Sequence, residues 1–227
     1  KGPGAPVERV DATTLRVHHG APGPFELEVP GDASSAAFFA VAAAITPGSS
    51  IVLEEVGLNP TRIAFVDVLR RMGTPIEVRE TGERLGEPVG ELMIEAAALR
   101  ATVIEGAEVP WLIDEIPALA VAAAFAEGTT EIRDAGELRV KESDRIGTLH
   151  EELTQMGIEV VAAADGLAIR GGTPRAATLK SHGDHRIAMA GAIAGLGIEG
   201  DTTVRGWRAV ESSYPEFERD LAMLRAT

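Results

Sequence analysis

The hydrophobic positions of the chain form a pattern that occurs three times. Each occurrence opens with a short segment that is apolar on every side, at residues 36–45, 117–125 and 187–196. A helix without a polar face belongs in a protein interior, and these segments are shorter than the roughly 20 residues that cross a bilayer. We therefore predict three buried helices, whose many alanine side chains would allow them to pack closely.

The repetition extends beyond these helices. The letters AVAAA at 40–44 recur at 120–124, and the pair MG at 72–73 recurs at 156–157. Several matches in one order indicate an internal repeat rather than chance. A strand is predicted after each buried helix, at residues 51–55, 130–133 and 202–205.

An amphipathic helix and a further strand follow in the first two repeats. The apolar face of this helix is formed by Ile63, Val66, Leu69 and Met72 in one repeat and by Ile146, Leu149, Leu153 and Met156 in the next. Gly73 and Gly157 then stand where a helix typically ends in a left-handed residue. The strands are predicted at 75–79 and 158–162, and the second has a returning strand at 167–170.

The third repeat lacks the last part of this pattern. After a predicted helix at 215–224 the sequence contains no strand equivalent to 158–162. An element that is present twice and missing once suggests that another part of the protein supplies it. The first residue is Lys1 rather than methionine, which suggests a processed or excised piece.

Residues 1–29 lie outside the repeat. Predicted strands at 15–19 and 25–29, around a Gly/Pro-rich turn at 20–24, indicate a hairpin. We interpret this segment as the end of another structural unit.

The composition is that of a folded protein. Hydrophobic residues make up 45% of the chain, and 21 basic residues face 35 acidic ones, for a formal net charge of -14. This balance argues against broad binding to nucleic acids or anionic membranes. The absence of cysteine excludes disulfides, thiolate nucleophiles and Cys-ligated zinc. We expect a soluble cytoplasmic protein, in which an anionic substrate would need a local group of cations.

The densest group of charges lies just before the second amphipathic helix. Residues 139–145 read RVKESDR, and Ser143 is predicted to cap the helix that follows. The corresponding loop of the first repeat, NPTR at 59–62, carries far less charge, so the scaffold itself does not require these ions. The group is either a ligand site or a solvated loop with internal ion pairs.

A second group, HGDHR at 182–186, opens the third buried helix. Cations at a helix N-terminus oppose the helix dipole unless an anion binds between them. Two other interpretations remain open. Asp184 could cap the helix with His185 and Arg186 on the surface, or Asp184 and His185 could form half of a metal site, although no third ligand has convincing spacing.

A third group, IDEIP at 113–117, opens the second buried helix, where simple capping by Asp114 and Glu115 is an alternative to a role in chemistry. Ser34 and Ser35 are predicted to cap the first buried helix.

Because the three loops are expected on one face, they would bring together Asp114, Lys141, Glu142, Arg145, His185 and Arg186, with Arg139 adding to the cationic patch. Carboxylates beside cations suit proton transfer on an anionic substrate.

These motifs closely resemble those of the EPSP synthase (3-phosphoshikimate 1-carboxyvinyltransferase) family. The matching segments are PGDASS at 30–35, DEIP at 114–117, LRVKESDR at 138–145, DHRIAM at 184–189 and YPEF at 214–217. They occur in the family's order along essentially the whole chain. They correspond to about the C-terminal half of a typical member.

The resemblance implies an α/β (α+β) fold. Family members consist of two lobes, each an inside-out α/β barrel built from three βαβαββ units. Residues 30–227 would form the C-terminal lobe with an incomplete third repeat, and residues 1–29 would be the tail of the N-terminal lobe. In the family, the first residues of the full chain cross over to complete this lobe.

The resemblance also implies a reaction. The enolpyruvyl group of phosphoenolpyruvate would be transferred to the 5-hydroxyl of shikimate 3-phosphate through a tetrahedral intermediate, without metal or organic cofactor. Asp114 matches the carboxylate that takes the hydroxyl proton, and Glu142 the group that moves a proton at the phosphoenolpyruvate methylene. The substrate-binding positions match Lys141 near the shikimate phosphate substrate, Arg145 and Arg186 on phosphoenolpyruvate, and His185 in the same pocket.

The chain departs from the family pattern at two places. Many members carry Lys where Ser212 and Ser213 stand, and some carry Asn at the position of Glu137. The expected partners are the two substrates and the missing N-terminal lobe, with no nucleic acid or membrane, and a monomer at full length. The alternatives are the related UDP-N-acetylglucosamine 1-carboxyvinyltransferase, against which the run at 141–145 argues, and an inactive half-protein that serves as an interaction module.

Overall fold

The structure is a computed structural model that describes residues 6–21, 23–24, 26–84 and 86–224. It begins with an exposed antiparallel hairpin of β1 (Val7–Arg9) and β2 (Leu15–Val17). Asp11 shapes the turn between them, because its carboxylate accepts a 2.8 Å hydrogen bond from the backbone N–H of Thr13.

This hairpin differs from the predicted one. Residues 15–17 pair with a strand that precedes them, and residues 26–29 form no strand, so the predicted pairing of 15–19 with 25–29 is wrong. The Asp11 turn offers residues 15–17 a nearer partner. Pro22 and Phe25, which the prediction also included, lie outside the described residues.

Three successive units follow, here called the first, second and third repeats. The first contains α1 (Ala33–Ile45), β3 (Ser50–Gly57), α2 (Ala64–Arg71), β4 (Ile76–Arg84) and β5 (Glu87–Glu95). The second contains β6 (Val103–Ile104), α3 (Val109–Leu112), α4 (Ile116–Phe125), β7 (Thr129–Ile132), α5 (Arg145–Gln155), β8 (Glu159–Ala162) and β9 (Leu167–Arg170). The third contains β10 (Thr178–Lys180), α6 (His185–Ala194), β11 (Thr203–Arg205) and α7 (Phe217–Leu224).

Each repeat has its own sheet. The strand orders are β3-β5-β4, β6-β7-β9-β8 and β10-β11, and Gly31 adds a parallel bridge to Val56 at the edge of the first sheet. The second repeat therefore has the βαβαββ order, and the first has it when the bridge at Gly31 counts as its opening strand. The three sheets do not join into a closed barrel within the described residues.

The core lies between α1, α4 and α6, which contact one another in all three pairings. Almost every side chain of α1 and α4 is buried, as the uniformly apolar pattern predicts. The sheets lie outside these helices, with exposed side chains such as Val52, which is 51% accessible. Helices inside and strands outside confirm the predicted inside-out arrangement. None of the described helices combines the length and apolar character needed to span a membrane.

The predicted amphipathic helices are also present, as α2 and α5. Gly73, after α2, and Gly157, after α5, have φ values of 104° and 82°, which confirms the left-handed residue predicted at the end of each helix.

The first buried helix begins three residues earlier than predicted, and the cap of α1 is Asp32 rather than Ser34 or Ser35. The Asp32 carboxylate accepts from the backbone N–H of Ser35. The backbone N–H groups of a helix's first turn have no partner within the helix, and an aspartate directly before that turn is placed to accept from them.

The third sheet is shorter than the other two. β10 and β11 pair in parallel, and no described residue pairs with the other side of β11. In the second repeat the equivalent side of β7 is occupied by β9. Within the described residues, the third repeat therefore has no counterparts of β8 and β9.

Phe217 connects the end of the chain to the core. It is fully buried, and its ring lies 5.3 Å from that of Phe39, 5.5 Å from that of Tyr214 and 6.0 Å from that of Trp207. Its burial fixes α7 against α1.

We predict that Phe217→Ala lowers the free energy of unfolding by about 3–5 kcal/mol, because the surrounding rings cannot close the cavity. Urea unfolding followed by circular dichroism measures this change. Leu224→Ala on the same helix is the control, since Leu224 is 41% exposed and its truncation should cost under about 1 kcal/mol. Equal effects of the two substitutions would contradict the assigned role of Phe217.

Candidate active site

The charged residues predicted from the three loops lie together where α4, α5 and α6 begin. Asp114 is in the turn between α3 and α4, Arg145 is the first residue of α5, and Arg186 is the second residue of α6. The repeat places these helix starts on one side, so residues far apart in the sequence come into contact.

Arg145 is the centre of this arrangement. Its side chain is fully buried, and each of its three nitrogens donates to a different carboxylate. Nε donates to Asp184 at 2.8 Å, Nη1 to Asp114 at 3.1 Å, and Nη2 to Glu142 at 2.6 Å. Burial alone would lower the pKa of Arg145, but the hydrogen bond and charge of Asp184 and the charge of Glu142 raise it. The guanidinium therefore stays charged.

Asp184 is buried as completely as Arg145. Its carboxylate caps α6 by accepting from the backbone N–H of Arg186 at 2.9 Å, and it also accepts from the hydroxyl of Ser143 at 3.0 Å. Burial acts to raise the pKa of Asp184, but the hydrogen bond and charge of Arg145 outweigh it and hold the pKa below its usual range. The alternative of a metal half-site at Asp184 is not supported, because these donors occupy its oxygens.

Asp114 faces three cations. Its carboxylate oxygens lie 3.1 Å from Arg145 Nη1, 3.7 Å from Lys141 Nζ and 3.8 Å from Arg186 Nη2. Partial burial acts to raise the pKa of Asp114, but the charges of Arg186 and Lys141 and the hydrogen bond from Arg145 lower it below the ordinary value. Asp114 does not cap α4, for which no side-chain cap is formed.

Arg186 and His185 occupy the start of α6. Arg186 is not a free surface residue, because its guanidinium donates to the backbone carbonyl of Asp114 at 2.9 Å and its side chain is only 14% exposed. His185 is partly buried. Burial and the positive charge of Arg186 lower the pKa of His185, so its imidazole is neutral near pH 7.

Two expectations for the second loop are wrong. Asp144, not Ser143, caps α5, with its carboxylate accepting from the backbone N–H of Gly147, and Ser143 donates to Asp184 instead. Arg139 does not join the cationic patch. Its guanidinium donates to the carbonyls of Ala163 and Ala164 at 2.6 and 2.7 Å and so holds the loop against the β8–β9 turn.

The sequence did not predict a second buried network next to Asp114. Glu115 is 2% exposed and accepts a short hydrogen bond from the hydroxyl of Ser34, to which Arg62 donates at 2.7 Å. Burial raises the pKa of Glu115 in spite of the Ser34 hydrogen bond. The position of Arg62, equivalent in the repeat to that of Arg145, was the one sequence feature that could have indicated this network.

Glu151, Glu152 and His182 are the described residues whose ligand atoms come closest to a metal-binding arrangement. The ammonium group of Lys180 already lies 3.2 Å from Glu151, and Glu152 accepts from the backbone N–H of Lys180 at 2.9 Å. A cation would have to compete with both donors. These residues are therefore better explained as a hydrogen-bonded group than as a metal site.

Comparison with known proteins identifies the family. The sequence profile of EPSP synthase (3-phosphoshikimate 1-carboxyvinyltransferase) matches residues 1–221. A 3-phosphoshikimate 1-carboxyvinyltransferase of Desulforudis audaxviator is 53% identical over 203 residues, covering 88% of this chain and 47% of the relative. The enzyme of that name from Roseiflexus castenholzii is 51% identical over 221 residues, covering 95% of this chain and 51% of the relative.

Solved structures agree with the sequence comparison. An EPSP synthase from Acinetobacter baumannii superposes with a TM-score of 0.89 at 39% identity, covering 96% of this chain and 51% of that protein. The enolpyruvyl transferase NikO from Streptomyces tendae has the same fold. It superposes with a TM-score of 0.74 at 21% identity, covering 98% of this chain and 50% of that protein. The chain spans about half the length of the curated relatives it matches. On this evidence, the chain belongs to the EPSP synthase (3-phosphoshikimate 1-carboxyvinyltransferase) family.

Proposed function

We propose that this chain supplies about half of the active site that transfers the enolpyruvyl group of phosphoenolpyruvate to the 5-hydroxyl of shikimate 3-phosphate. The observation that carries the proposal is the carboxylate of Asp114 among Lys141, Arg145 and Arg186. Both substrates are anions, and the chain as a whole is strongly acidic. A local group of cations is therefore what such substrates would need.

We propose further that residues 30–227 form the C-terminal lobe, that residues 1–29 belong to the other lobe, and that a strand from outside the printed chain completes the third sheet. One side of β11 pairs with no described residue, whereas the equivalent side of β3 pairs with β5 and that of β7 with β9. This difference supports the addition of a strand to β11. An unpaired strand edge with free backbone donors and acceptors favours addition of a strand. The other half of the active site would come with that lobe.

Phosphoenolpyruvate would reach Arg145 by replacing one of its present partners. Asp184 is fully buried and would stay, whereas Asp114 and Glu142 are 31% and 48% exposed and could give up their contacts. Arginine can bind carboxylate or phosphate oxygens with two parallel hydrogen bonds. Arg145 and Arg186 would then hold the substrate between them.

The proposed chemistry needs two proton transfers in its addition step. The ionised carboxylate of Asp114 accepts the proton of the 5-hydroxyl as that oxygen bonds to C2 of phosphoenolpyruvate, and Glu142 delivers a proton to C3. In the elimination that follows, Glu142 takes a proton back from C3 as the bond between C2 and the phosphate oxygen breaks, which restores the double bond. The proton held by Asp114 leaves with the phosphate. Glu142 suits a proton carrier, because its carboxyl group is 48% exposed at the edge of the site and lies 2.6 Å from Arg145.

The test of this function is phosphate release by the chain mixed with the N-terminal half of the Roseiflexus castenholzii relative. We expect release only when both halves, phosphoenolpyruvate and shikimate 3-phosphate are present. Glu142→Gln should lower the rate by about 10²–10⁴, the usual effect of losing a general acid or base. Glu159→Gln is the matched control, since Glu159 is 69% exposed on β8 and pairs with Arg170, outside these loops.

Two results would contradict the proposal. Full activity of Glu142→Gln in the complemented protein would exclude the role given to Glu142. Transfer of the enolpyruvyl group to UDP-N-acetylglucosamine would exclude the proposed reaction. So would the absence of any transfer when the two halves are folded and associated.

A second prediction separates binding from chemistry at Asp114. Asp114→Asn should lower kcat by about 10²–10⁴ because the base is lost. It should not weaken phosphoenolpyruvate binding in calorimetric titration, because the substitution removes a negative charge that competes for Arg145 and Arg186. Glu108→Gln, which alters a pair with Arg71, is the control. Weaker binding with unchanged kcat would assign Asp114 to binding alone.

A third prediction concerns the Arg145–Asp184 pair as a structural support. Asp184→Asn should cost about 3–5 kcal/mol at pH 7, because it leaves Arg145 buried without its main counter-charge. Since the folded-state pKa of Asp184 is lowered, its contribution is complete above the unfolded value of about 3.9 and is lost as pH falls through the folded value. Urea unfolding as a function of pH should therefore show a smaller acid-induced loss in the variant than in the unsubstituted chain.

The control for this measurement is Glu105→Gln. Glu105 pairs with Arg133, but both side chains are about half exposed, at 51% and 52%. Such a pair contributes under about 1 kcal/mol. If both substitutions cost the same, the buried pair is not the support that its geometry indicates.

A further inference from the structure

The segment between β10 and α6 contains an unusual backbone turn. His182 has a φ of 53° and the next residue, Gly183, a φ of 78°. The left-handed conformation is ordinary for glycine, but in other residues it costs roughly 1 kcal/mol and persists only where the surroundings enforce it. This turn directly precedes Asp184, so the start of α6 depends on it.

Glu152 on α5 holds one side of the turn. It is 6% exposed, and both of its carboxylate oxygens are used. Oε2 accepts from the backbone N–H of Lys180 at 2.9 Å, and Oε1 lies 2.6 Å from Nε2 of His182. A buried carboxylate with two such partners fixes both the end of β10 and the His182 ring.

Ser181 holds the other side. Its hydroxyl donates to the backbone carbonyl of Gly206 at 2.9 Å and accepts from the backbone N–H of Gly183 at 3.2 Å. The backbone N–H of Asp184 in turn donates to the carbonyl of Ser181 at 2.9 Å. The left-handed turn is thus determined from both sides.

We propose that Glu152 and His182 are positioning residues for the anion-binding end of α6. The inference rests on the proposed function of Arg145 and Arg186. Helix α5 would be joined to the start of α6 at two points, one at Arg145–Asp184 and one about two helical turns further along, at Glu152–His182. Helices α5 and α6 also pack against each other, and the second polar contact, together with Arg145–Asp184, fixes the direction in which Asp184, His185 and Arg186 leave the turn.

The charged groups that face His182 permit this role in either charge state of the ring. Glu152 and Glu151 lie 2.6 and 4.0 Å from Nε2, and Lys180 is paired with Glu151 at 3.2 Å. A neutral ring with its proton on Nε2 donates to Glu152, and so does a charged ring. The pair needs no titration to act.

The first arm of the test measures the site without substrates. NMR measures the rate at which the Arg145 Nε–H hydrogen exchanges with water. This rate reports how firmly Arg145 and Asp184 are held together. We expect Glu152→Ala and His182→Asn to accelerate this exchange about tenfold through local opening. Glu152→Gln should restore slow exchange, since its amide can accept from Lys180 and donate to the other tautomer of His182.

Glu151→Gln is the matched control, because it removes the same charge one residue away and leaves Glu152 in place. Unfolding by urea is measured on every variant, so that a general loss of stability is separated from local opening. If Glu152→Ala does not fold, His182→Asn carries the test, since asparagine tolerates the left-handed conformation. Unchanged exchange in a folded variant, or equal acceleration by Glu151→Gln, would overturn the proposal.

The second arm measures transfer by the complemented protein. We expect the KM for phosphoenolpyruvate to rise about tenfold in His182→Asn with kcat changed less than about twofold, since binding groups are misplaced but the proton-transferring groups remain. An equal loss in kcat with an unchanged KM would overturn the positioning role. If the exchange responds as expected but no form of the complemented protein transfers the enolpyruvyl group, the proposed function fails and the effect of Glu152 and His182 on Arg145 stands.

Discussion

A buried ion pair between Arg145 and Asp184 determines how this chain presents its charged loops. Both side chains are fully inaccessible to solvent, so each needs a counter-charge, and among the described residues Asp184 is the one partner of Arg145 that is itself fully buried. The guanidinium begins α5 and the carboxylate caps α6, which fixes two helix starts from successive repeats against each other. Asp184 accepts from Nε at 2.8 Å and from Nη2 at 3.5 Å, which leaves Nη1 to Asp114 and the shorter contact of Nη2 to Glu142. The same contact that joins the two helix starts thereby forms the edge at which we propose that the substrates bind.

Exposure then separates carboxylates that support the structure from those that can take part in chemistry. Asp114 and Glu115 are neighbours in the sequence, yet the pKa of Asp114 is lowered and that of Glu115 is raised. Asp114 faces three cations at the edge of the site, whereas Glu115 is buried against the hydroxyl of Ser34. The start of α4 thus carries one carboxyl group suited to accept a proton and one that connects the first repeat to the second.

The fold and the proximity of the charged loop residues could largely be predicted from the sequence, but the individual contacts among those residues could not. Uniformly apolar helices and the glycines after α2 and α5 leave local patterns, and these predictions were confirmed. Cap assignments failed by one to three residues, as with Asp144 in place of Ser143, because neighbouring polar residues have similar capping preferences and the backbone decides between them. The Arg145–Asp184 pair joins positions 39 residues apart, and no local pattern encodes such a contact.

The charge balance at the site indicates why an anion should change it. Lys141, Arg145 and Arg186 are matched by Asp114, Glu142 and Asp184, with Glu137 on the other side of Lys141 at 3.0 Å, so the free site has no excess of positive charge. A substrate anion gains little from such a site unless a carboxylate moves away or takes up a proton. Glu142 is the most exposed of the three carboxylates on Arg145 and the one assigned to carry a proton. On the proposed reaction, displacement of Glu142 by the substrate would therefore be the event that couples binding to proton transfer.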